Sequence, residues 1–240
     1  MKQLLIYDNL TPLTRQDHGN LSLRKLESFA FARQTNAVPL VVAEFPLAAI
    51  EYAIVFTDTE EGIVPAAILG ARNGENLFVD DNGRWNAAYA PAFVRRYPFA
   101  FATDEKAERF TVMIDPGHSG FNTSGEGDRL FNADGTSAAL LETMIAFLQD
   151  YQGMFARTKI FGARLAELGL LDEVEANLPL PSDPQRKLAG FKIVNRAKLK
   201  SIPADVLAEM LREDELEFVF LHLFSLRNLD RLKDKLIPRT

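Results

Sequence analysis

The sequence predicts an α+β fold, with a mainly β N-terminal half that contains hairpins and a helix-rich C-terminal half. Up to about residue 114, short β-branched and aromatic runs alternate with Gly, Pro, Asn and Asp, which is typical of strands joined by turns. After residue 135, apolar residues recur at helical spacing. We therefore expect a mainly β core over residues 1–128 and an α-rich part over residues 129–240 packed on it, with one continuous domain as the alternative.

The composition is that of an ordinary globular protein, with 47% hydrophobic and 25% charged residues in a chain of 240. A net charge of −6 gives no overall attraction to nucleic acid, so no nucleic-acid partner is expected. The absence of cysteine excludes disulfides, thiolate metal ligands and a cysteine nucleophile.

No apolar stretch approaches the roughly 20 residues that span a bilayer, so no transmembrane segment is predicted. The apolar run of residues 4–6 is too short for the core of a signal peptide. These observations predict a cytoplasmic protein. They leave open export to the cell surface by a route that uses no N-terminal signal.

The elements of the N-terminal half follow in order. An apolar run predicts an opening strand over residues 1–7, which Thr11-Pro12-Leu13 breaks. A β-branched run predicts a buried strand within residues 36–45, and residues 48–52 have the pattern of a helical turn. Further strands are expected at residues 54–57, 64–69 and 112–114, and the Gly- and Ser-rich residues 119–128 are expected to form a flexible loop.

A hairpin is predicted around Asn82-Gly83, between the β-prone run of residues 77–79 and a returning run of residues 84–89. Asn-Gly accepts positive φ at both central positions of a type I′ turn, whose twist matches that of paired strands. Beyond it, residues 93–99 are expected to form an extended edge strand that Pro98 ends, because the residue before a proline favours extended conformations.

In the C-terminal half, residues 141–148 predict a helix with Thr136 or Ser137 as its N-cap, and residues 151–168 predict a second helix that Gly169 ends. A Pro-rich connector over residues 177–184 is a second candidate for the boundary between the two parts. The remaining expected elements are a strand at 190–194, a helix opened by Pro203, a buried strand at 216–224 and a last helix capped by Ser225.

Three arginines lie among aromatic residues in the segment that holds the only tryptophan. Arginine guanidinium groups bind carboxylates and phosphates, and aromatic rings pack apolar groups, so this segment is a candidate recess for a peptide or a small anionic ligand. In the alternative interpretation the aromatics belong to the core and one of Arg95 and Arg96 pairs with an acid, since strand alternation sends these two to opposite faces. The residues concerned are Arg84, Trp85, Tyr89, Arg95, Arg96 and Tyr97, followed by Phe99.

Glu44 is a further candidate, because it stands beside Phe45 in an apolar run. A buried carboxylate there would have a raised pKa suited to proton transfer. The alternative is an ion pair, for which Arg95 or Arg96 would be the natural partner.

No cofactor is predicted, although a metal site is an alternative. His118 lies in the run VMIDPGHSG, which is similar to the strand end that carries the first zinc histidine of N-acetylmuramoyl-alanine amidases. A catalytic zinc needs three protein ligands, and the residues that could follow His118 in such a site are Glu126 in the expected loop and His222 in an apolar run. A separate hypothesis is one metal site formed by His18, His118 and His222. For each histidine the alternative is a structural role, which for His222 is a satisfied place in a core strand.

Several short motifs spread along the chain carry a resemblance to a known family. Those of the first half are TNAVPL (35–40), AEF (43–45), EYAIVF (51–56), ENLF (75–78), GRW (83–85) and PAFVRRYPF (91–99). The second half contributes Leu130-Phe131 and His222-Leu223. Through these motifs the chain resembles the bacterial SapC family over nearly its whole length. The resemblance implies a link to bacterial surface-layer loci, from which the family takes its name, and it supplies no catalytic residues.

Two functional hypotheses follow from these observations. The first is a noncatalytic binding or accessory protein that recognises a peptide, a protein partner or a small anionic ligand. The second is a metal-dependent enzyme that modifies peptides or small molecules with some of His18, Glu44 and His118. A surface-layer protein is a third and weaker alternative.

Overall fold

The structure is a computed structural model that describes residues 5–25, 27–104, 109–178, 183 and 185–236. Helices and antiparallel sheets are mixed along the chain, which confirms the α+β class. The strands are β1 (Thr11–Pro12), β2 (Ser22–Leu23), β3 (Ala37–Pro39), β4 (Ile54–Thr59), β5 (Gly62–Ile68), β6 (Phe99–Asp104), β7 (Arg109–Ile114), β8 (Phe121–Asn122), β9 (Asp128–Arg129), β10 (Leu171–Asn177) and β11 (Lys187–Val194). The helices are α1 (Arg15–His18), α2 (Phe45–Glu51), α3 (Ala92–Arg95), α4 (Ala139–Glu167), α5 (Arg196–Lys200), α6 (Ala204–Arg212), α7 (Glu215–Ser225) and α8 (Asn228–Leu236), and short 3₁₀ helices occupy Ala30–Ala32 and Val42–Glu44.

The main sheet has the strand order β10-β11-β4-β5-β3, and all of its pairings are antiparallel. It takes strands from both halves of the sequence. Helix α4 packs on β5, α7 packs on β4 and β11, and α2 lies beside α7. The main hydrophobic core forms between this sheet and these helices, with Phe45, Phe56 and Phe161 among its buried residues.

Two smaller sheets, β1-β7-β6 and β8-β2-β9, lie around a second hydrophobic cluster. Phe99 and Ile114 come from the strands, Leu130 follows β9, and Leu141 and Leu148 come from the N-terminal part of α4. The long helix α4 therefore contributes to both clusters, its later residues to the main core and its first turns to the second.

Several predicted elements are confirmed. Strands occur at the positions expected for 54–57, 64–69, 112–114 and 190–194, and the helical turn at 48–52 belongs to α2. Pro203 directly precedes α6 as its N-cap. Gly169 follows the end of α4 with φ of +63°, as a C-terminal glycine stop requires.

The two helices expected over residues 141–168 are one continuous helix, α4. Gly162 lies inside this helix, where α4 approaches β5 closely. A Cβ at position 162 would lie 2.0 Å from the carbonyl oxygen of Ile63, so the contact requires a glycine. The predicted N-caps Thr136 and Ser137 are wrong, since the N-cap is Ala138. Thr136 instead closes the preceding turn on the carboxylate of Asp134.

The buried strand expected at 216–224 is also wrong, because this segment forms helix α7. Its nearly continuous apolar run carries no period that separates a strand from a buried helix. Ser225 is the last residue of α7, and the last helix begins at Asn228, so Ser225 does not cap it as predicted.

The edge strand expected at 93–99 is a short helix, α3, and the strand β6 begins only at Phe99. The chain turns between them at Tyr97 and Pro98, whose peptide bond is cis. Arg95 is therefore the last residue of a helical turn, and Arg96 follows it directly. The strand alternation expected to send the two side chains to opposite faces does not apply.

The hairpin at Asn82-Gly83 is present in short form, with an isolated bridge between Val79 and Trp85. The N–H of Gly83 donates to the carbonyl oxygen of Asp80 at 2.9 Å, and only Gly83, not Asn82, has positive φ. This is a type I turn followed by a left-handed glycine, so the expected type I′ turn is wrong. Close contact with Ser28 also requires glycine, because a Cβ at position 83 would lie 2.0 Å from its Oγ.

Three other predictions differ at their ends. A strand was expected over residues 1–7. Residues 1–4 of it lie outside the described residues, and residues 5–7 form no strand. The first strand is instead Thr11–Pro12, which pairs with β7. The strand within 36–45 ends at Pro39, before the 3₁₀ helix. The loop at 119–128 contains β8 and the start of β9, and much of the connector at 177–184 lies outside the described residues.

Among described residues, no helix is both long and apolar enough to cross a bilayer.

Candidate functional site

Glu44 is a buried carboxylate that holds two neighbouring backbone segments. It ends the 3₁₀ helix that leads into α2, and its Oε2 accepts from the backbone N–H of Val41 at 2.9 Å. Its Oε1 accepts from the N–H of Ala92, the first residue of α3, at 2.6 Å and from the hydroxyl of Tyr89 at 2.7 Å. Burial raises the pKa of Glu44, and these three donors partly offset that rise.

Tyr89 joins Glu44 to Arg95. The Nη2 of Arg95 donates to the Tyr89 hydroxyl at 3.2 Å, and its Nε donates to the carbonyl oxygen of Ala90 at 3.0 Å. The guanidinium is exposed and lies 5.4 Å from the ring centroid of Tyr89 and 5.3 Å from that of Phe147 on α4. Burial, and then the charge of Glu44, raise the pKa of the Tyr89 hydroxyl, so it remains a donor to the carboxylate.

The predicted ion pair between Glu44 and an arginine is replaced by this indirect link. Among the described residues neither Arg95 nor Arg96 lies within ion-pair distance of Glu44. The charge of Arg95 still lowers the pKa of Glu44, although it is the smallest of the causes. Glu44 therefore acts on Arg95 by orienting the Tyr89 hydroxyl.

Trp85 is fixed on the other side of Tyr89. Its Nε1 donates to the hydroxyl of Tyr52 at 2.8 Å and to the carbonyl oxygen of Tyr89 at 3.2 Å. The Tyr52 hydroxyl also donates to that carbonyl oxygen. The half-buried indole ring packs edge-on against Phe29, with 5.5 Å between the centroids. The only tryptophan is thus directly bonded to the segment that carries Arg95.

Arg96 belongs to a different cluster. Its Nε donates to the Tyr7 hydroxyl at 3.0 Å, and its guanidinium lies over the rings of Phe93, Tyr151 and Tyr7 at 4.1, 5.0 and 5.6 Å. The stem and head of Arg96 are therefore enclosed by aromatic rings, whereas Arg95 faces solvent. Of the two arginines, Arg96 has the structural environment.

Tyr97 and His118 form a third group. The ring of Tyr97 stacks on Phe31 with centroids 3.9 Å apart and meets the edge of His118 at 5.2 Å. Burial lowers the pKa of His118, and the nearby carboxylate of Asp115 partly offsets this. Asp115 itself is buried and accepts from the backbone N–H of Asp8 at 2.8 Å and of Gly117 at 3.2 Å.

Arg84 lies apart from the other predicted site residues. It occupies the exposed side of the hairpin turn, where its backbone N–H donates to the Asp80 carboxylate at 2.8 Å. The structure therefore brings together Glu44, Trp85, Tyr89 and Arg95. It places Arg96 and Tyr97 in the adjacent aromatic packing.

The candidate metal ligands His18 and His118 and the candidate proton-transfer residue Glu44 make separate contacts. The Nδ1 of His18 lies within hydrogen-bond distance of the backbone of Thr14, at the start of α1. Glu44 accepts hydrogen bonds from the backbone groups and the hydroxyl given above. The ring of His118 packs against Tyr97 and Phe121. His222 lies in α7, not in a strand. Within the described part of the chain, no group of three or more His, Cys, Asp or Glu has an arrangement that could hold a metal ion.

Two surface depressions lie away from these residues. One has a volume of about 430 Å³ and lies beside α1 and residues 129–133, with Arg15 and Arg129 among its lining residues. The other has a volume of about 420 Å³ and is lined by residues 72–76 with Arg33. Neither depression includes Glu44, Trp85, Tyr89 or Arg95 among its lining residues.

Sequence reasoning missed the partners that come from distant parts of the chain. Phe147 and Tyr151 are separated from Arg95 and Arg96 by about 50 residues and belong to the apolar face of α4. Tyr52 had a local signal, because it begins the apolar run of residues 52–56, and a buried tyrosine requires a partner for its hydroxyl.

Comparison with known proteins identifies the family without adding a described relative. No protein with a curated description matches the chain, and no solved structure matches it. The sequence pattern that defines the SapC family matches residues 13–232, which include Glu44, Trp85, Tyr89 and Arg95. The chain therefore belongs to the SapC family.

Proposed function

We propose that this SapC-family chain is a noncatalytic binding or accessory protein that recognises the carboxylate of a peptide, or another small anionic ligand, at Arg95. The observation that supports this proposal is an exposed guanidinium that is held in place but has no carboxylate partner among the described residues. The Nη2 of Arg95 donates to the Tyr89 hydroxyl and its Nε donates to the carbonyl oxygen of Ala90, so its Nη1 group remains available to a ligand.

The surroundings of Arg95 suit a peptide end better than a free inorganic ion. Guanidinium groups bind carboxylates through paired N–H donors, and such charge-assisted bonds are about twice as strong as neutral ones. The rings of Tyr89 and Phe147 flank the guanidinium and provide apolar contact for a neighbouring side chain. A carboxylate attached to an apolar group would use both features.

The hydrogen bonds that the Glu44 carboxylate accepts support a noncatalytic role. Two backbone N–H groups and a hydroxyl already donate to its carboxylate, so it is engaged in holding the loop. A general base needs a free oxygen within hydrogen-bond reach of the substrate proton. The separate contacts of His18 and His118 likewise favour binding over metal-dependent chemistry.

Trp85 fluorescence tests the proposal, because the indole is bonded to the same Tyr89 segment. The probes are short peptides with an apolar last residue, each made with a free C-terminal carboxylate and with a C-terminal amide. We expect saturable fluorescence changes with the carboxylate forms only, and Arg95→Ala to weaken binding about tenfold or more. Arg84→Ala is the matched control, since Arg84 is also an exposed arginine but lies apart from Arg95. Equal binding of both peptide forms, or of the Arg95→Ala variant, would contradict the proposal.

A further inference from the structure

Helix α7 exposes large apolar side chains on the face that points away from the core. Phe218, Val219 and His222 are buried, whereas Phe220 and Phe224 are 53% and 46% exposed. A helix that is apolar on all sides is normally covered on all sides. The exposed side of α7 is therefore unusual for a surface helix.

The exposed residues of this face are arranged symmetrically about His222. Phe220 and Phe224 lie two residues before and after it, and Glu217 and Arg227 lie five residues before and after it. The guanidinium of Arg227 lies 3.9 Å from the ring centroid of Phe224, so the basic end of the pattern is on the same side as the phenylalanines. We call these four residues the α7 outer face.

Helix α2 provides a second row of exposed apolar residues beside α7. The two helices pack together through their buried sides, where the rings of Phe45 and Phe218 meet at 5.9 Å. Helix α2 also exposes Leu47 and Ile50. Near the end of this row, Arg231 of α8 donates to the carbonyl oxygen of Ile50 at 3.1 Å.

We propose that a second copy of this chain docks on the α7 outer face, with the two α7 helices antiparallel about a two-fold axis that passes between Phe220 and Phe224. Antiparallel pairing places Glu217 of each copy opposite Arg227 of the other and brings Phe220 opposite Phe224. Parallel pairing would place like charges together, which disfavours it. This charge complementarity, together with the apolar centre, identifies a second copy as the occupant. The proposal does not depend on the ligand proposed for Arg95.

The first test is the mass of the protein in solution, measured by light scattering over a range of concentrations. We expect the unmodified chain to have twice the 26.8 kDa of one chain. Phe224→Glu should reduce this mass to that of one chain. Phe110→Glu is the matched control, because Phe110 is 49% exposed on strand β7 and should leave the mass unchanged. A single-chain mass for the unmodified protein, or a double mass for Phe224→Glu, would overturn the proposal.

Charge reversal tests the direction of pairing without changing the apolar centre. Glu217→Arg alone and Arg227→Glu alone should each shift the protein towards the single-chain mass, because each places like charges together. The variant that carries both changes restores opposite charges and should regain the double mass. A combined variant that remains a single chain would contradict the antiparallel arrangement.

Engineered cysteines give an independent readout, because the chain contains no cysteine of its own. Position 217 lies in the first turn of α7, about 12 Å along the helix from Ser225, and position 227 lies two residues beyond that end, whereas a disulfide requires Cα atoms within about 7 Å. A mixture of Glu217→Cys and Arg227→Cys chains should therefore form an interchain disulfide, whereas either chain alone should not. Crosslinking of Glu217→Cys chains to one another would indicate parallel pairing and overturn the proposal.

Discussion

The Nδ1–H of His222 donates to the carbonyl oxygen of Ile54 at 2.9 Å, across 168 residues of sequence. Its Nε2 accepts from the backbone N–H of Val194 at 3.0 Å, which identifies the neutral form with the proton on Nδ1. Strands β4 and β11 pair at Lys192 and Phe56. In the same register Val194 stands opposite Ile54, so the imidazole is inserted where the two strands separate.

Replacing His222 with Phe should destabilise the fold strongly. The change keeps an aromatic ring in the core but leaves the N–H of Val194 and the carbonyl oxygen of Ile54 without their partner. Each buried unpaired group costs about 1–3 kcal/mol, so we expect a loss on the order of 3 kcal/mol in the free energy of unfolding. Urea denaturation measures it, and His118→Phe is the control, since His118 makes ring contacts that phenylalanine can keep. Equal losses for the two variants would contradict the role of His222.

The same residue should make stability depend on pH. Burial lowers the pKa of His222 from 6.5 to about 4. The unfolded chain therefore binds a proton at a higher pH than the folded one, so this contribution to stability is complete above about pH 6.5 and is lost as the pH falls towards 4.

We expect the free-energy gap between the unmodified protein and His222→Phe to narrow by roughly 2 kcal/mol from pH 7 to pH 5. Burial raises the pKa of Glu44, whose contribution has the opposite sign, but both proteins carry Glu44 and the difference removes it. Urea denaturation at the two pH values measures the gap. A gap that does not change with pH would show that the folded and unfolded chains bind the His222 proton at the same pH, and would contradict this prediction.

Arg96 and Arg95 should differ in their effect on stability, although they are adjacent. Arg96→Ala removes a guanidinium enclosed by the rings of Tyr7, Phe93 and Tyr151, and we expect a loss of about 2 kcal/mol. Arg95→Ala changes an exposed side chain and should cost less than about 1 kcal/mol. Thermal and urea unfolding of both variants check this order, and a larger loss for Arg95→Ala would reverse the assignment of their roles.

Local signals made several elements predictable from the sequence. Gly169 and Pro203 mark helix ends through backbone geometry that depends on one residue, and both predictions are confirmed. The segment 216–224 carried no such signal. Its apolar residues fit a buried strand as well as a buried helix, and only packing against β4 and β11 selects the helix.

The residues of the candidate site were predictable from the sequence, but the contacts between them were not. Glu44, Tyr89 and Arg95 were all recognised as candidates, but the hydroxyl that links the two charged groups could not be inferred from spacing. Phe147 contributes from a helix about 50 residues away. Contacts of this kind depend on how α4 lies on the rest of the fold, which no local pattern records.

The two glycines inside α4 should respond in opposite directions to replacement by alanine. At Gly162 a Cβ would lie 2.0 Å from the carbonyl oxygen of Ile63, so α4 and β5 would have to move apart. We expect Gly162→Ala to destabilise the protein by more than about 2 kcal/mol, the range of overpacked cores. At Gly153 a Cβ would meet no atom within 4 Å.

Gly153→Ala is therefore the matched control, and it should stabilise the protein by about 0.5–1 kcal/mol through helix propensity alone. Urea denaturation of the two variants gives both changes in the free energy of unfolding. If Gly162→Ala were as stable as Gly153→Ala, the close approach of α4 to β5 would not exist in solution. A loss of stability in Gly162→Ala together with a gain in Gly153→Ala would locate the close contact between α4 and β5 at a single backbone position.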